Sequence, residues 1–245
     1  MNPVTVPGTW PIDTEVLRAA DQAHRKEILQ SFAGLPTEVS IEEGDIHTCL
    51  NTAIEKRDID LVVIGTRGRT GLGKLLLGSV AEEIFRTVTC PVLTVGPHSH
   101  ERSGDNEGFR EILYATDLSP ESSRAAAYAV SLAEEFQARL ILLHVVPEPK
   151  PGELVSWSDV NASSKKLLRK LVPPEAEAWC KPEYFVQRGD PTERILDLAN
   201  LRETDLIVLG TQIEKGVPGA ATHLPIATAH KVVSHAKCPV LTVRH

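Results

Sequence analysis

Residues 61–80 read LVVIGTRGRTGLGKLLLGSV and hold the residues best suited to bind an anion. Gly68 to Leu75, GRTGLGKL, is one residue short of a phosphate loop of the G-x-x-x-x-G-K-[ST] type. Leu75 stands where that loop places the hydroxyl that holds Mg²⁺, and the KLLLGS that follows puts the helix start later. A wider spacing, G-x-x-G-x9-G-S, is complete on Gly65, Gly68, Gly78 and Ser79. An apolar strand ends at Gly65 and a helix opens at Ser79. Ser79-Val80-Ala81-Glu82 has the pattern of a capping box, in which the serine oxygen and the glutamate satisfy each other's end of the first turn. The remaining N–H groups and the positive end of the helix dipole favour an anion there. Gly65 and Gly68 would let backbone approach a ligand and accept positive φ. The plainer alternative is a glycine-rich turn before a capped helix.

The elements that must position this loop occur twice. EEGDIHTCLNTAIEKRDIDLVVIGT at 42–66 aligns with VQRGDPTERILDLANLRETDLIVLGT at 186–211, at an offset of 145 residues. Gly44/Gly189, Asp45/Asp190, Asp60/Asp205 and Gly65/Gly210 match. CPVLTV at 90–95 recurs at 238–243, at an offset of 148. Between the copies, PHSHERSGDNEG at 97–108 is polar and rich in turn formers, a linker.

The second copy alternates strand and helix throughout. EILYAT, RLILLHVV, EYFVQ, DLIVLG and CPVLTV read as strands. Helices fall after Ser119-Pro120, over SSKKLLRKLV, from Pro191 to Asn200 and near 226–235. Ser119 is the expected N-cap and Pro120 the first helical residue. Strands apolar along their length, each followed by a helix, predict an α/β fold with a parallel sheet covered on both faces. The first copy is shorter. A helix over Asp13 to Phe32, capped by Asp13 and with Leu17, Ala20, Ile28 and Phe32 on one side, precedes a strand at TEVSIE. Ile46 to Lys56 (helix), DLVVIG (strand), Ser79 to Val88 (helix) and CPVLTV (strand) follow. Its first strand, first helix and second strand have no counterpart.

At Gly65, Gly68, Gly78 and Ser79, with Ile64 and Val80 flanking them and CPVLTV as the last strand, the sequence resembles the universal stress protein family in its tandem form. That resemblance spans nearly the whole chain. It implies two doubly wound parallel-sheet domains of the adenine nucleotide alpha hydrolase-like kind. A partial first domain would cover 1–96, the linker 97–108 and a complete second domain 109–245. The family's ATP-binding signature has the glycine spacing found here, so the resemblance implies ATP, with Mg²⁺, as the ligand. In the second copy it assigns Asp117, at the end of the first strand, to the adenosine part. Ala115 and Thr116 match backbone positions lining that pocket, and Val145 matches the backbone that hydrogen-bonds adenine. Gly210 repeats the first glycine of the signature. The rest of the signature is gone from copy two: Ile213, Ile226 and Ala227 stand at the positions of Gly68, Gly78 and Ser79.

The family's strand order, 3-2-1-4-5, would place the missing first two strands between TEVSIE and DLVVIG. Residues upstream of Met1, a decayed and repacked copy, or strands supplied by a second subunit would each explain the gap. The unspoiled motif and the clean start at an element boundary favour the first. The family's last strands pair across a pseudo-twofold, so the two CPVLTV segments are expected to join the copies as a pseudo-dimer, with a homodimer as a further option. Cys90 and Cys238 then read as structural.

Composition narrows the functions. The 245 residues carry 33 acidic and 26 basic side chains, a net charge of −7, which argues against a general nucleic-acid surface. No apolar run approaches the roughly 20 residues that span a bilayer, and no signal-peptide pattern appears at Met1, so no membrane partner is expected. Four cysteines without a C-x-x-C pair suit a reduced, cytoplasmic protein. The histidines are scattered, with His98 and His100 in the linker, and nominate no metal site or general base. The expected function is a regulatory, non-enzymatic adenine-nucleotide-binding protein of the stress response. Its rivals are an ATPase or phosphotransferase, and an interaction protein whose nucleotide sites have decayed.

Overall fold

A computed structural model of the chain describes residues 14–66, 79–88, 90–96, 99, 108–120, 122–149, 152, 154–211 and 226–244, with the side chains of 14–21, 79, 80, 85, 86, 123 and 226 excepted. The elements in chain order are α1 (Thr14–Ser31), α2 (Ile46–Arg57), β1 (Val62–Gly65), α3 (Ser79–Thr87), β2 (Val92–Val95) and β3 (Glu111–Thr116). They continue with α4 (Ser123–Glu135), β4 (Arg139–Val146), α5 (Trp157–Lys170), α6 (Glu177–Cys180) and β5 (Glu183–Arg188). α7 (Pro191–Leu201), β6 (Leu206–Thr211), α8 (Ile226–His235) and β7 (Val240–Arg244) complete them. Met1–Asp45 forms one compact unit and Ile46–His245 another.

In the larger unit seven strands form one sheet in the order β1-β2-β7-β6-β3-β4-β5. Every neighbouring pair is parallel except β2 with β7. That pair carries the two CPVLTV segments. Leu93 faces Leu241, Val92 faces Thr242 and Thr94 faces Val240. The register is its own mirror, so a pseudo-twofold axis passes between Leu93 and Leu241, as expected. Helices α3 and α8 are related by the same axis. Their equivalent residues Glu82 and His230 lie 3.9 Å apart, so unlike groups meet where a true dyad would bring like ones together.

Copy two is a complete doubly wound layer. One face of its sheet packs Leu113, Ala115, Ile141, Leu143, Ile207 and Leu209 against α7 and α8. The other packs Ile112, Tyr114, Leu140, Leu142 and Val208 against the alanines of α4 and Leu168 of α5. The alternation along each strand sends successive side chains to opposite layers, and both are apolar because both are covered. α7 starts where the sequence places it: Asp190 accepts the Glu193 N–H at 3.1 Å and Pro191 holds the first turn.

Two expectations change. TEVSIE is not a strand; residues 36–43 are irregular, and Ile41 is half exposed. A short apolar–polar alternation cannot hold an extended conformation without a neighbour to take its backbone hydrogen bonds. The helix after Ser119-Pro120 begins at Ser123, later than its sequence signals, with Ser122 before it. Ser119 Oγ still accepts the Ser122 N–H at 3.3 Å, the bond of an N-cap, and Asp117 Oδ1 closes a local turn on the Ser119 N–H, so a capped turn precedes the helix. The Asp13 cap of α1 lies outside the described residues; Phe32, assigned to an apolar side, is half exposed.

Candidate functional site

The copy-two residues that the resemblance matched to an adenosine pocket meet at one place. β3 has β4 on one side and β6 on the other, and the chain leaves β3 towards β4 but returns through β6. This is the topological switch point, where open α/β sheets leave a crevice outside the strands' carboxyl ends. Ala115 and Thr116 end β3 and are buried; Asp117 is half buried just beyond. The β3–β4 ladder stops at Thr116 opposite His144, whereas β4 and β5 pair as far as Val146 and Arg188. The β3-facing edge of β4 therefore opens at Val145, beside Asp117.

A hydroxyl network fixes the Asp117 turn. Ser122 Oγ donates to the Ser119 carbonyl at 2.9 Å. Having one proton to give, it must accept from Thr116 Oγ1, 2.6 Å away. Thr116 Oγ1 in turn accepts the Leu118 N–H at 3.0 Å, and Asp117 Oδ1 accepts the Ser119 N–H at 2.9 Å. Tyr114 donates to the Ser122 carbonyl at 2.5 Å from beneath, and burial pushes its phenol up to about 12, so it stays a donor. Leu118 is held at φ +64°, in the left-handed region. The other non-glycine residues with positive φ among those described, Asp58, Gln137, Lys181 and Glu203, all follow helix ends, where such a turn is ordinary. Leu118 is at no helix end, and a strained backbone position of this kind concentrates at functional sites.

Gly210 does its work from below. A Cβ there would lie 2.9 Å from Ser122 Cα and 3.1 Å from Ser122 Cβ. The glycine lets Ser122 sit against β6, and Ser122 anchors the Asp117 turn. Gly210 is thus a positioning residue with its Cα face against the α4 start. His144, which the sequence reading passed over, also belongs here. Its Nδ1 lies 2.9 Å from the Thr116 carbonyl and must carry a proton to bond it, leaving Nε2 as an acceptor. Burial lowers its pKa, opposed by the Thr116 hydrogen bond and by Asp117. Only its place opposite Thr116 in the folded register reveals it.

The copy-one residues go elsewhere. Ile64 and Gly65 end β1, and the backbone of Ser79 and Val80 opens α3. Gly65 is not among the positive-φ glycines; it is the last residue of a strand. Gly68 and Gly78, with the side chains of Ser79 and Val80, lie outside the described residues. β1 is four strand positions from β3, roughly 19 Å at the usual strand spacing of about 4.8 Å. It also runs antiparallel to β3, because only the β2–β7 step reverses direction. Gly65 and Asp117 therefore sit at opposite rims of the sheet. Gly65 and the Asp117 turn do not form one site within the chain.

Other groups set limits on chemistry. The four cysteines are free, and burial pushes Cys238 up to about 12 and raises Cys90, which suits packing rather than nucleophilic roles. Among the described residues no group of three or more His, Cys, Asp or Glu side chains could hold a metal ion, and no helix is long and apolar enough to cross a membrane.

The universal stress protein family profile matches residues 3–96 and again 108–244. The chain is 36% identical over 140 residues to a universal stress protein of Thermus aquaticus, covering 56% of this chain and 99% of that one. A longer universal stress protein of Mycolicibacterium smegmatis is 25% identical over 236 residues, covering 92% of this chain and 76% of the relative. Among solved structures, a universal stress protein from Archaeoglobus fulgidus superposes with a TM-score of 0.69 at 22% identity, over 96% of this chain and 81% of that one. The protein belongs to the universal stress protein family and carries the family's α/β unit twice.

Proposed function

We propose that this protein binds an adenine nucleotide as a regulatory ligand in the cytoplasmic stress response, without turning it over. The observation that carries this reading is the Asp117 turn: a carboxylate at the switch-point crevice, in a turn fixed by the hydroxyls of Tyr114, Thr116 and Ser122, beside the open edge of β4 at Val145. A ribose hydroxyl pair suits the carboxylate, and a planar base suits a strand edge offering both donors and acceptors. Copy two lacks the Gly-Ser end of the phosphate signature, so recognition there falls on the adenosine part. ATP is the ligand implied by the copy-one signature, with Mg²⁺ carried on its phosphates rather than by a protein site.

Isothermal titration with adenosine, AMP, MgATP and GTP tests the proposal. Adenosine, AMP and ATP should bind within about tenfold of one another, a spread of about 1.4 kcal/mol, with GTP weaker. Asp117→Ala should remove the binding. Absence of heat from every adenine ligand would favour an interaction protein with decayed sites, a reading supported by Ile226 and Ala227 at the signature positions. Binding of ATP alone, lost in Ser79→Ala and kept in Asp117→Ala, would move the site to copy one. Multiple-turnover hydrolysis lost in Ser79→Ala would make the protein an ATPase.

A further inference from the structure

The β4–β5 ladder ends on Val146 opposite Arg188, and a cavity of about 270 Å³ opens there. Val146, Pro147, Pro149, Val155 and Val160 line it, with Arg188 the one cation among the described lining residues. The sheet separates this cavity from the Asp117 crevice. Val145 packs in the α7/α8 layer, whereas Val146 packs in the α4/α5 layer with Trp157. Alternation puts Arg188 on that same side, two residues beyond Val186. β4, β5 and α5, which surround the cavity, are all present in copy two.

Arg188 lacks the acidic partner that nearby arginines have. Arg139 and Arg202 hold Glu111, and Arg194 lies within reach of Glu193 and Asp197. The half-buried Arg188 guanidinium lies over the Trp157 ring, 4.3 Å from Cζ to the ring centre. It makes no hydrogen bond or ion pair with the described residues, and its Nε is shielded from solvent. An aromatic ring satisfies the face of a guanidinium but not its edge, where the five N–H donors lie. A buried donor left unbonded is costly and calls for an acceptor.

The surroundings say what kind of acceptor. The planar fork of an arginine matches a carboxylate. α5 opens at this cavity, and Ser156 at its N-cap position makes no side-chain cap bond. The amides of that first turn and the positive end of the helix dipole therefore also favour an anion. Glu148 on the lining and Asp159 in the first turn oppose a second negative charge. The valine and proline walls suit an apolar body. Small-molecule clefts run upward from about 300 Å³, so that body is small.

We propose that this cavity binds a small apolar monocarboxylic acid, its carboxylate on the edge of Arg188 and its body against Val146, Val155 and Val160. The site is separate from the nucleotide crevice and does not rest on it.

Isothermal titration of the full chain with octanoate tests this, with octanol as the neutral counterpart. Octanoate should bind saturably, and octanol at least tenfold more weakly. Arg188→Leu should weaken octanoate at least tenfold and leave octanol unchanged. Val155→Trp, at an exposed position, should fill the cavity and abolish octanoate binding without lowering the melting temperature. Asp117→Ala and saturating adenosine should leave octanoate binding unchanged, so this site and the nucleotide site fail or stand separately. Absence of saturable octanoate binding, equal affinity for octanol, or unchanged binding in folded Arg188→Leu overturns the proposal. If Arg188→Leu does not fold, Val155→Trp decides: octanoate binding kept in that variant places the acid elsewhere and overturns it. Tighter binding of octyl phosphate than of octanoate overturns the choice of a monoanion.

Discussion

Copies one and two carry the same strand–helix–strand phrases, yet the same residue type does different work in each. In copy two, Asp205, Gly210 and the strand between them are covered by β3 and α4, and every residue of β6 is buried. In copy one, Asp60, Gly65 and β1 face outward on that side, and only the α2/α3 side is packed, around Ile54, Val62, Ile84, Val88 and Val92. A motif residue's role is set by what the rest of the fold brings to it. Gly210 is a contact point for a neighbouring turn, and Gly65 has the same chemistry with no atom of the described residues within 4 Å of where its Cβ would be.

The comparison breaks most sharply at the bottom of the sheet. Glu111, only 2% exposed, is bonded by Arg202 Nε at 2.7 Å, and Arg202 also holds Glu183, whose carboxyl it keeps below the ordinary value. Arg202→Ala should destabilise the protein by about 2–3 kcal/mol, because it removes one of the two guanidinium partners of the buried Glu111 carboxylate, Arg139 Nη2 remaining at 2.6 Å. The equivalent Arg57 is exposed, so Arg57→Ala should move chemical-denaturation stability by about 0.5 kcal/mol or less. A comparable loss at both positions would show that copy one is covered in solution.

The glycine pair gives the next contrast. Gly210→Ala forces a methyl to within 2.9 Å of Ser122 backbone and should destabilise by about 1–3 kcal/mol. It should also weaken adenosine binding, since the Asp117 turn must shift. Gly65→Ala, in open space and at ordinary φ, should be near neutral. Thermal melts of the two variants decide this, and a destabilising Gly65→Ala would place an unseen neighbour against it.

The smallest effect is a pH dependence that belongs to copy two alone. His144 has a folded pKa below its ordinary 6.5 because burial penalises the imidazolium. The unfolded chain therefore binds the proton more readily than the folded one. Stability from this group is complete above pH 6.5 and declines as pH falls through the lowered folded value. His144→Asn, which can keep a donor to the Thr116 carbonyl, should flatten the stability slope on the acid side of pH 6.5. An unchanged slope would assign it to other groups.

Much of this arrangement was legible in the sequence where local pattern and burial agree. The strands of copy two, the Asp190-Pro191 helix start and the pairing of the CPVLTV segments all follow from apolar runs, cap chemistry and repetition. TEVSIE misled because its alternation is a strand pattern with no partner strand among the described residues, and pairing is a non-local property. The α4 start falls later than Ser119-Pro120 signals, although Ser119 Oγ still accepts the Ser122 N–H, because Ser122 is also held by Thr116, a contact that depends on β3 and β6 being neighbours. His144 and Leu118 carried no signal at all, since register and backbone strain appear only once the turn is built.

By itself the sequence determined the family, the doubling, the alternating α/β plan and the complete phosphate signature on Gly65, Gly68, Gly78 and Ser79, because each is written in local spacing. Only the tertiary structure decided that Gly65 and Asp117 lie on opposite rims of the sheet. The single antiparallel step between β2 and β7 reverses copy one relative to copy two, and strand direction is fixed by which edges pair, a choice no local stretch of residues contains.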